Sequence, residues 1–269
     1  MIDRDYHLHT AFSNDSTQDM EESVIRAIEL GLREIAITDH FEHDVETFDF
    51  EGEYGLNRPA YIAKVREMQE KYKNQILIKL GVEIGAQPQL ADYYPGELRR
   101  DPWDFIIASC HTIDRIDLFF GKVQEGKTRD EMQDLYFRHV LELVKNYDCF
   151  SVFGHLDYVT RYGGPQFRGL NYERQFPVID EILKTLVAKG KGIEINTSAF
   201  RYNEGRFYPH PDVVKRYFEL GGEILTVGSD AHRKEDIARD MDRVSDFLKG
   251  IGRKYITVFE GLQARFVRI

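Results

Sequence analysis

Short apolar runs rich in β-branched residues alternate with longer amphipathic stretches along almost the whole chain. The runs at 6–10, 34–38, 76–84, 105–109, 150–154, 192–196 and 224–228 have the length and composition of buried strands. Between them apolar residues recur at helical spacing. Across 18–30, Met20, Val24, Ala27 and Ile28 share one face, and Gly31 follows as a stop signal. The spacing predicts further helices over 59–72, 128–147, 172–189 and 211–220, the last ending at Gly221-Gly222. An eighth apolar run, 255–259, either closes the series or lies outside it. Strand–helix repetition of this kind implies a parallel α/β architecture. Seven or eight such units fit a barrel, with an open sheet as the alternative. No Gly/Ser/Pro-rich linker or break in composition interrupts the pattern, so one domain is expected over 1–269. Longer connections at 42–58, 86–104, 114–126 and 158–171 each follow a strand, which is where a barrel carries its working face.

Composition narrows the classes of function. A formal net charge of −10 argues against broad nucleic-acid binding through phosphate neutralisation, and Arg99-Arg100 is too short a basic run to reverse that. Bound divalent cations would still allow a phosphorylated substrate. No stretch approaches the roughly 20 apolar residues of a membrane span. The opening Met1-Ile2-Asp3-Arg4-Asp5 is charged rather than signal-like. With only Cys110 and Cys149, a disulfide framework is not expected, and a cytoplasmic setting fits. Strand alternation turns Cys110 away from its neighbour His111, so a buried, inert thiol is predicted there.

The chemistry sits where the strands end. His7 and His9 lie two apart on the first strand and therefore share a face. Thr38-Asp39-His40 follows the second strand, Glu83 ends the third, His111 the fourth and His155 the fifth. Asp230 and His232 follow the seventh, and Asp15 lies just past the first. Six of the nine histidines thus fall at strand C-termini, which a parallel barrel gathers on one rim. Imidazole and carboxylate without thiolate suit Zn, Mn or Fe. Nine ligand-type residues exceed the needs of one ion, whereas two or three ions with a bridging carboxylate would use them. Clustered divalent ions point to phosphate-ester hydrolysis. Of the remaining histidines, His139 and His210 read as local structure, and His43, in an acidic loop on the active side, as a substrate contact and a candidate acid for the leaving oxygen. Arg161 and Arg201, beyond strands five and six, have the fork geometry for clamping phosphate. Asp114, Asp117 and Asp157 are candidates for holding a cationic substrate group. There is no G-x-S-x-G elbow and no phosphate-loop lysine motif.

Taken in order, His-x-His, Thr-Asp-His, a mid-chain Glu, two separate strand-end histidines and a late Asp-x-His resemble the polymerase-and-histidinol-phosphatase (PHP) superfamily. The resemblance covers nearly the whole chain. Within the superfamily the chain is similar to the histidinol-phosphate phosphatases. The opening Tyr6-His7-Leu8-His9-Thr10 with Ser13 and Asp15, the loop containing Asn57-Arg58-Pro59-Ala60-Tyr61, and the tail Ile256-Thr257-Val258-Phe259-Glu260-Gly261 carry this finer match. It implies a distorted barrel of seven strands holding three divalent ions. By position, His7, His9, Glu83 and Asp230 would hold the first ion, Glu83, His111 and His155 the second with Glu83 bridging, and Asp15, His40 and His232 the third. The implied reaction is hydrolysis of L-histidinol phosphate, a step of histidine biosynthesis, by in-line attack of a metal-bridging hydroxide on phosphorus, with Glu83, Asp230 and His232 at the reacting centre. Competing readings are a superfamily nucleotide phosphatase, a 3′–5′ nuclease, and a non-catalytic metal-binding module.

Overall fold

Seven parallel strands follow one another around the structure in sequence order, in a computed structural model that describes residues 2–46, 55–202 and 204–269. They are β1 (Arg4–Leu8), β2 (Glu34–Ile37), β3 (Leu77–Gly85), β4 (Phe105–Ser109), β5 (Val152–Phe153), β6 (Gly192–Asn196) and β7 (Leu225–Gly228). Each pairs in parallel with the next. The ring almost closes between β7 and β1. Just past β7, Asp230 N–H donates to the His7 carbonyl at 2.8 Å, and His9 N–H donates to the Ala231 carbonyl at 2.9 Å. The barrel expected from seven strand–helix units is therefore the architecture observed, and the open sheet is excluded.

The strand boundaries reflect local sterics. Only two residues of the apolar run 150–154 form β5, yet Ser151 and Gly154 N–H groups continue the ladder to the carbonyls of Ile106 and Ala108, at 2.8 and 2.9 Å. Gly154 permits that close approach, since a Cβ there would lie 2.5 Å from Ser109 Oγ. After β2 the chain breaks pairing at Thr38-Asp39 and resumes at His40–Phe41, which sets His40 opposite Glu83 of β3.

Helices lie between the strands, with starts that the side chains dictate. Asp19 caps α1 (Met20–Glu29), Asn57 caps α2 (Arg58–Tyr72), and a Thr128/Glu131 capping box opens α4 (Arg129–Asn146). The α5 (Tyr172–Ala188) and α6 (Pro211–Glu219) helices follow β5 and β6. Two helices were not anticipated by the periodicity: the short α3 (Tyr93–Leu98) inside the 86–104 connection, and α7 (Met241–Gly250) after β7. The expected connection 42–58 lies partly outside the described residues. No described helix is long and apolar enough to cross a membrane.

The eighth run lies outside the barrel. It forms β8 (Tyr255–Glu260), antiparallel to β9 (Gln263–Arg268). Val258 and Phe259 join Tyr6, Phe105 and Val152 in a cluster at the end of the barrel where strands begin. The Phe105 and Phe259 ring centroids are 5.1 Å apart, and Phe259 N–H donates to Tyr6 OH at 2.9 Å. This hairpin plugs one end and leaves the other to the polar residues.

Candidate metal centre and cavity

At the open end, β1 to β5 and the segment after β7 converge on Glu83. Its carboxylate is fully buried, and its two oxygens face different histidines. Oε2 lies 3.3 Å from His7 Nε2, 3.5 Å from His9 Nε2 and 3.0 Å from His40 Nδ1. Oε1 lies 3.0 Å from His155 Nε2 and 3.3 Å from His111 Nε2, and accepts a hydrogen bond from Ser109 Oγ at 2.6 Å. Asp230 Oδ1 approaches His9 Nε2 at 3.5 Å and His7 Nε2 at 3.9 Å. Farther out, Asp15 Oδ2 lies 3.0 Å from His232 Nε2 and 3.5 Å from His40 Nε2. All nine ligand-type residues singled out by strand position thus fall in one contiguous cluster.

Among the described residues, four sets converge closely enough to share an ion: His7, His9 and Asp230; His7, Glu83 and His155; His40, Glu83 and His111; and His9, His40 and His232. The fit to cations is chemical as well as geometric. His7 Nε2, His9 Nε2, His40 Nδ1 and Glu83 Oε2 are buried without a hydrogen-bond partner. Unpaired buried polar atoms are costly, and here they point at one another. The Nε2 atoms of His111 and His155 stand 3.4 Å apart and both face Glu83 Oε1, the convergence of donors that one shared cation would use. Imidazole and carboxylate donors are those of Zn, Mn or Fe sites.

Electrostatics tell the same story. Burial opposes ionisation of Glu83, but His7, His111 and His40 outweigh it and hold the carboxyl well below its usual range. Burial likewise disfavours the His7 imidazolium, yet Glu194, Glu83 and Asp230 hold it well above its ordinary value. His9 goes the other way, lowered by burial and by the neighbouring His232 and His40. Without metal the carboxylates retain protons on some imidazoles; a divalent ion would take their place.

Above the cluster opens a cavity of about 730 Å³. Phe119, Phe120, Tyr158, Tyr162 and Tyr202 give it an aromatic wall, and Arg161, Arg201 and Arg233 contribute positive charge. Arg161 Nη2 donates to Asp230 Oδ2 at 2.9 Å and also to Ser198 Oγ. Its guanidinium stands 4.6 Å from the ring centres of both Tyr158 and Tyr202. Arg201 Nη2 donates to the carbonyls of Ser229 and Asp230 at 2.9 and 2.8 Å, while its Nη1 is buried without a partner. Asp230 has a left-handed backbone, φ 55°, so Arg201 clamps a strained turn as well as lining the cavity.

His43, expected to touch substrate, is exposed, stacks on Tyr93 with ring centres 4.1 Å apart, and is not among the residues lining the cavity. Of the three candidate carboxylates, Asp117 lines the cavity. Asp157 is buried and held by Arg206 at 2.7 Å, and Asp114 is not part of the lining. Cys110 is buried as expected, its thiol pushed up by burial. His210 caps α6 through its ring, and His139 is half-buried on α4.

Sequence reasoning missed the partners that orient the histidines. Glu42 Oε1 lies 2.7 Å from His111 Nδ1, Glu194 Oε1 2.6 Å from His7 Nδ1, and Ser13 Oγ 3.1 Å from His9 Nδ1. Glu194 did leave a signal: it is a lone carboxylate between Ile193 and Ile195 in a run with strand character.

Comparison with known proteins agrees with this geometry. The PHP domain family matches residues 5–198. Histidinol-phosphatase from Lactococcus lactis subsp. lactis is 31% identical over 96% of this chain and 95% of its own length. A probable histidinol-phosphatase from Thermotoga maritima is 30% identical over 94% of each. The crystal structure of the L. lactis histidinol phosphate phosphatase, complexed with zinc, L-histidinol and phosphate, superimposes with a TM-score of 0.89 at 31% identity, covering 98% of this chain and 99% of that one. A putative histidinol phosphatase from Listeria monocytogenes, at 21% identity, shares the fold with a TM-score of 0.75 over 89% of this chain and 99% of its own. The chain belongs to the PHP-domain family, grouping within it with the histidinol-phosphatases.

Proposed function

We propose that the protein is a metal-dependent phosphomonoesterase that hydrolyses L-histidinol phosphate to L-histidinol and phosphate. The observation that carries this reading is the Glu83-centred cluster of unpaired imidazole and carboxylate atoms at the floor of an aromatic and arginine-lined cavity. We assign three divalent ions, of Zn, Mn or Fe, to the ligand sets His7, His9, Glu83, Asp230; Glu83, His111, His155; and Asp15, His40, His232. Bound there, such ions supply positive charge for the phosphoryl oxygens and acidify water at neutral pH.

The protein's own groups do the rest. Arg201 and Arg161, which both line the cavity beside Asp230, hold the phosphoryl oxygens and favour the charge that builds up in the transition state. Asp230 is held ionised despite burial, with Arg161 and His7 the main causes, and serves to take up a proton as water attacks and return it to the leaving alkoxide. Glu83 and His232 complete the reacting centre. The aromatic wall of Phe119, Tyr158 and Tyr162 offers stacking for the imidazole ring, and Asp117 offers charge for the cationic amine. The whole of 1–269 acts as one catalytic domain, and its two free cysteines suit the reducing cytoplasm.

Phosphate release from L-histidinol phosphate, nucleoside monophosphates and short oligonucleotides, measured side by side on the zinc-loaded protein, tests this. Histidinol phosphate is expected to have the highest kcat/KM, by at least about 100-fold, because a site built to pair polar substrate groups rejects ligands lacking them. A preference for oligonucleotides would move the protein to the nuclease reading, and a preference for nucleoside monophosphates to the nucleotide phosphatase reading.

A further inference from the structure

Of the seven barrel strands, β6 supplies none of the nine ligand-type residues. Its inward-facing carboxylate, Glu194, lies one layer deeper, 1% exposed, and is surrounded by donors. His7 Nδ1 lies 2.6 Å from Oε1. His155 N–H donates to Oε2 at 2.9 Å, and Asn196 Nδ2 donates to the same oxygen at 3.1 Å. The orientation of Asn196 is settled by its other end, because Asn196 Oδ1 accepts from Ser198 N–H at 3.0 Å and from Ser198 Oγ at 2.5 Å. The neighbouring strands leave room for this carboxylate. A Cβ on Gly228, the last residue of β7, would lie 2.6 Å from Glu194 Oε1 and 2.3 Å from His7 Cβ. A Cβ on Gly154, after β5, would lie 3.5 Å from Glu194 Oε2.

We propose that Glu194 is a positioning residue for the metal centre: by accepting the Nδ1 proton of His7 it turns the Nε2 lone pair toward Glu83 and Asp230, and by accepting His155 N–H it fixes a second ligand with the same side chain. The inference rests on the metal reading above. Its physical core is that every group facing Glu194 is a donor, so the position demands acceptors at both oxygens. Glutamine has the same shape but cannot comply. Its amide nitrogen must face either His7, which forces the proton onto Nε2 where an ion should bind, or the N–H of His155, which leaves two donors opposed. Partners that orient ligating histidines typically contribute about 10–100-fold in metal affinity.

The test is Glu194→Gln in the full-length protein, with zinc affinity measured by competition against a chromophoric chelator. Glu34→Gln serves as control: that carboxylate is also buried, accepts from Tyr6 OH at 2.6 Å, and lies at the far end of the barrel. Zinc should bind Glu194→Gln about 10–100-fold more weakly than wild type, while Glu34→Gln keeps wild-type affinity whatever its unfolding midpoint. Independently of any variant, ¹⁵N NMR of the cadmium-loaded wild-type protein should show His7 protonated at Nδ1 and coupled to cadmium at Nε2. Equal zinc affinity in Glu194→Gln and wild type, or a His7 proton on Nε2, overturns the inference alone. A wild-type chain that binds no zinc overturns the metal reading and this inference together.

Discussion

Glu83 gathers five imidazoles around one buried carboxylate, and the consequences are clearest at His111. Burial opposes its charge, but Glu83 and Glu42 prevail and raise it to about 10 in the metal-free protein. The sign of the effect on stability follows. In the unfolded chain a histidine titrates near pH 6.5, so the His111 imidazolium stabilises the folded metal-free protein fully below about pH 6.5, and that contribution fades as pH rises toward about 10. The unfolding midpoint of metal-free protein should therefore fall across this window, and fall less steeply in His111→Gln. A variant with the wild-type slope would show that His111 is not the proton store. At this scale the sequence was informative about ligands and silent about their partners. His7, His40, His111 and His155 announce themselves by lying at strand ends. Glu42 and Ser13 are polar residues in loops, indistinguishable from solvated ones until the fold sets them 2.7 and 3.1 Å from imidazole nitrogens. The same holds for His43: loop residues three apart need not face one cavity, and its ring stacks on Tyr93.

Among the elements, the barrel strands were legible because their apolar runs are short, β-branched and regularly spaced. The β8–β9 hairpin was half legible. Its first strand is apolar where it plugs the barrel, but β9 is largely exposed and carries no periodic signal of burial. Helix α3 escaped notice because six residues hold too little of a 3.6-residue period to register. The hairpin's task is mechanical, and that separates it from the chemistry. Phe259 is 3% exposed and packs on Phe105 and Tyr6 at the end of the barrel opposite Glu83. Truncating it in Phe259→Ala should cost about 3–5 kcal/mol and lower the unfolding midpoint by on the order of 10 °C. The zinc-loaded variant should still turn over substrate at the wild-type rate per folded molecule at temperatures well below its midpoint. An unchanged midpoint, or lost turnover in fully folded protein, would mean that the hairpin does something other than close the barrel.

For the molecule as a whole, the division of labour is between an apolar end that closes the barrel and a polar end that concentrates charge. A chain with formal net charge −10 would repel a phosphate monoester unless cations outnumber anions at the site. Arg161, Arg201 and Arg233 begin that reversal, and divalent ions on the Glu83 cluster complete it. The cavity is therefore expected to process a phosphate ester only when loaded with metal. The decisive measurement is steady-state phosphate release from L-histidinol phosphate by one preparation in three states: as zinc-loaded protein, after chelator treatment and dialysis, and after zinc is restored, with metal content determined alongside. Turnover should be present in the first state, fall by at least about 100-fold in the second, and return in the third with close to three ions per chain. Equal turnover by metal-free and zinc-loaded protein, or no phosphate release from a folded chain carrying its full complement of ions, would contradict the proposed metallophosphatase.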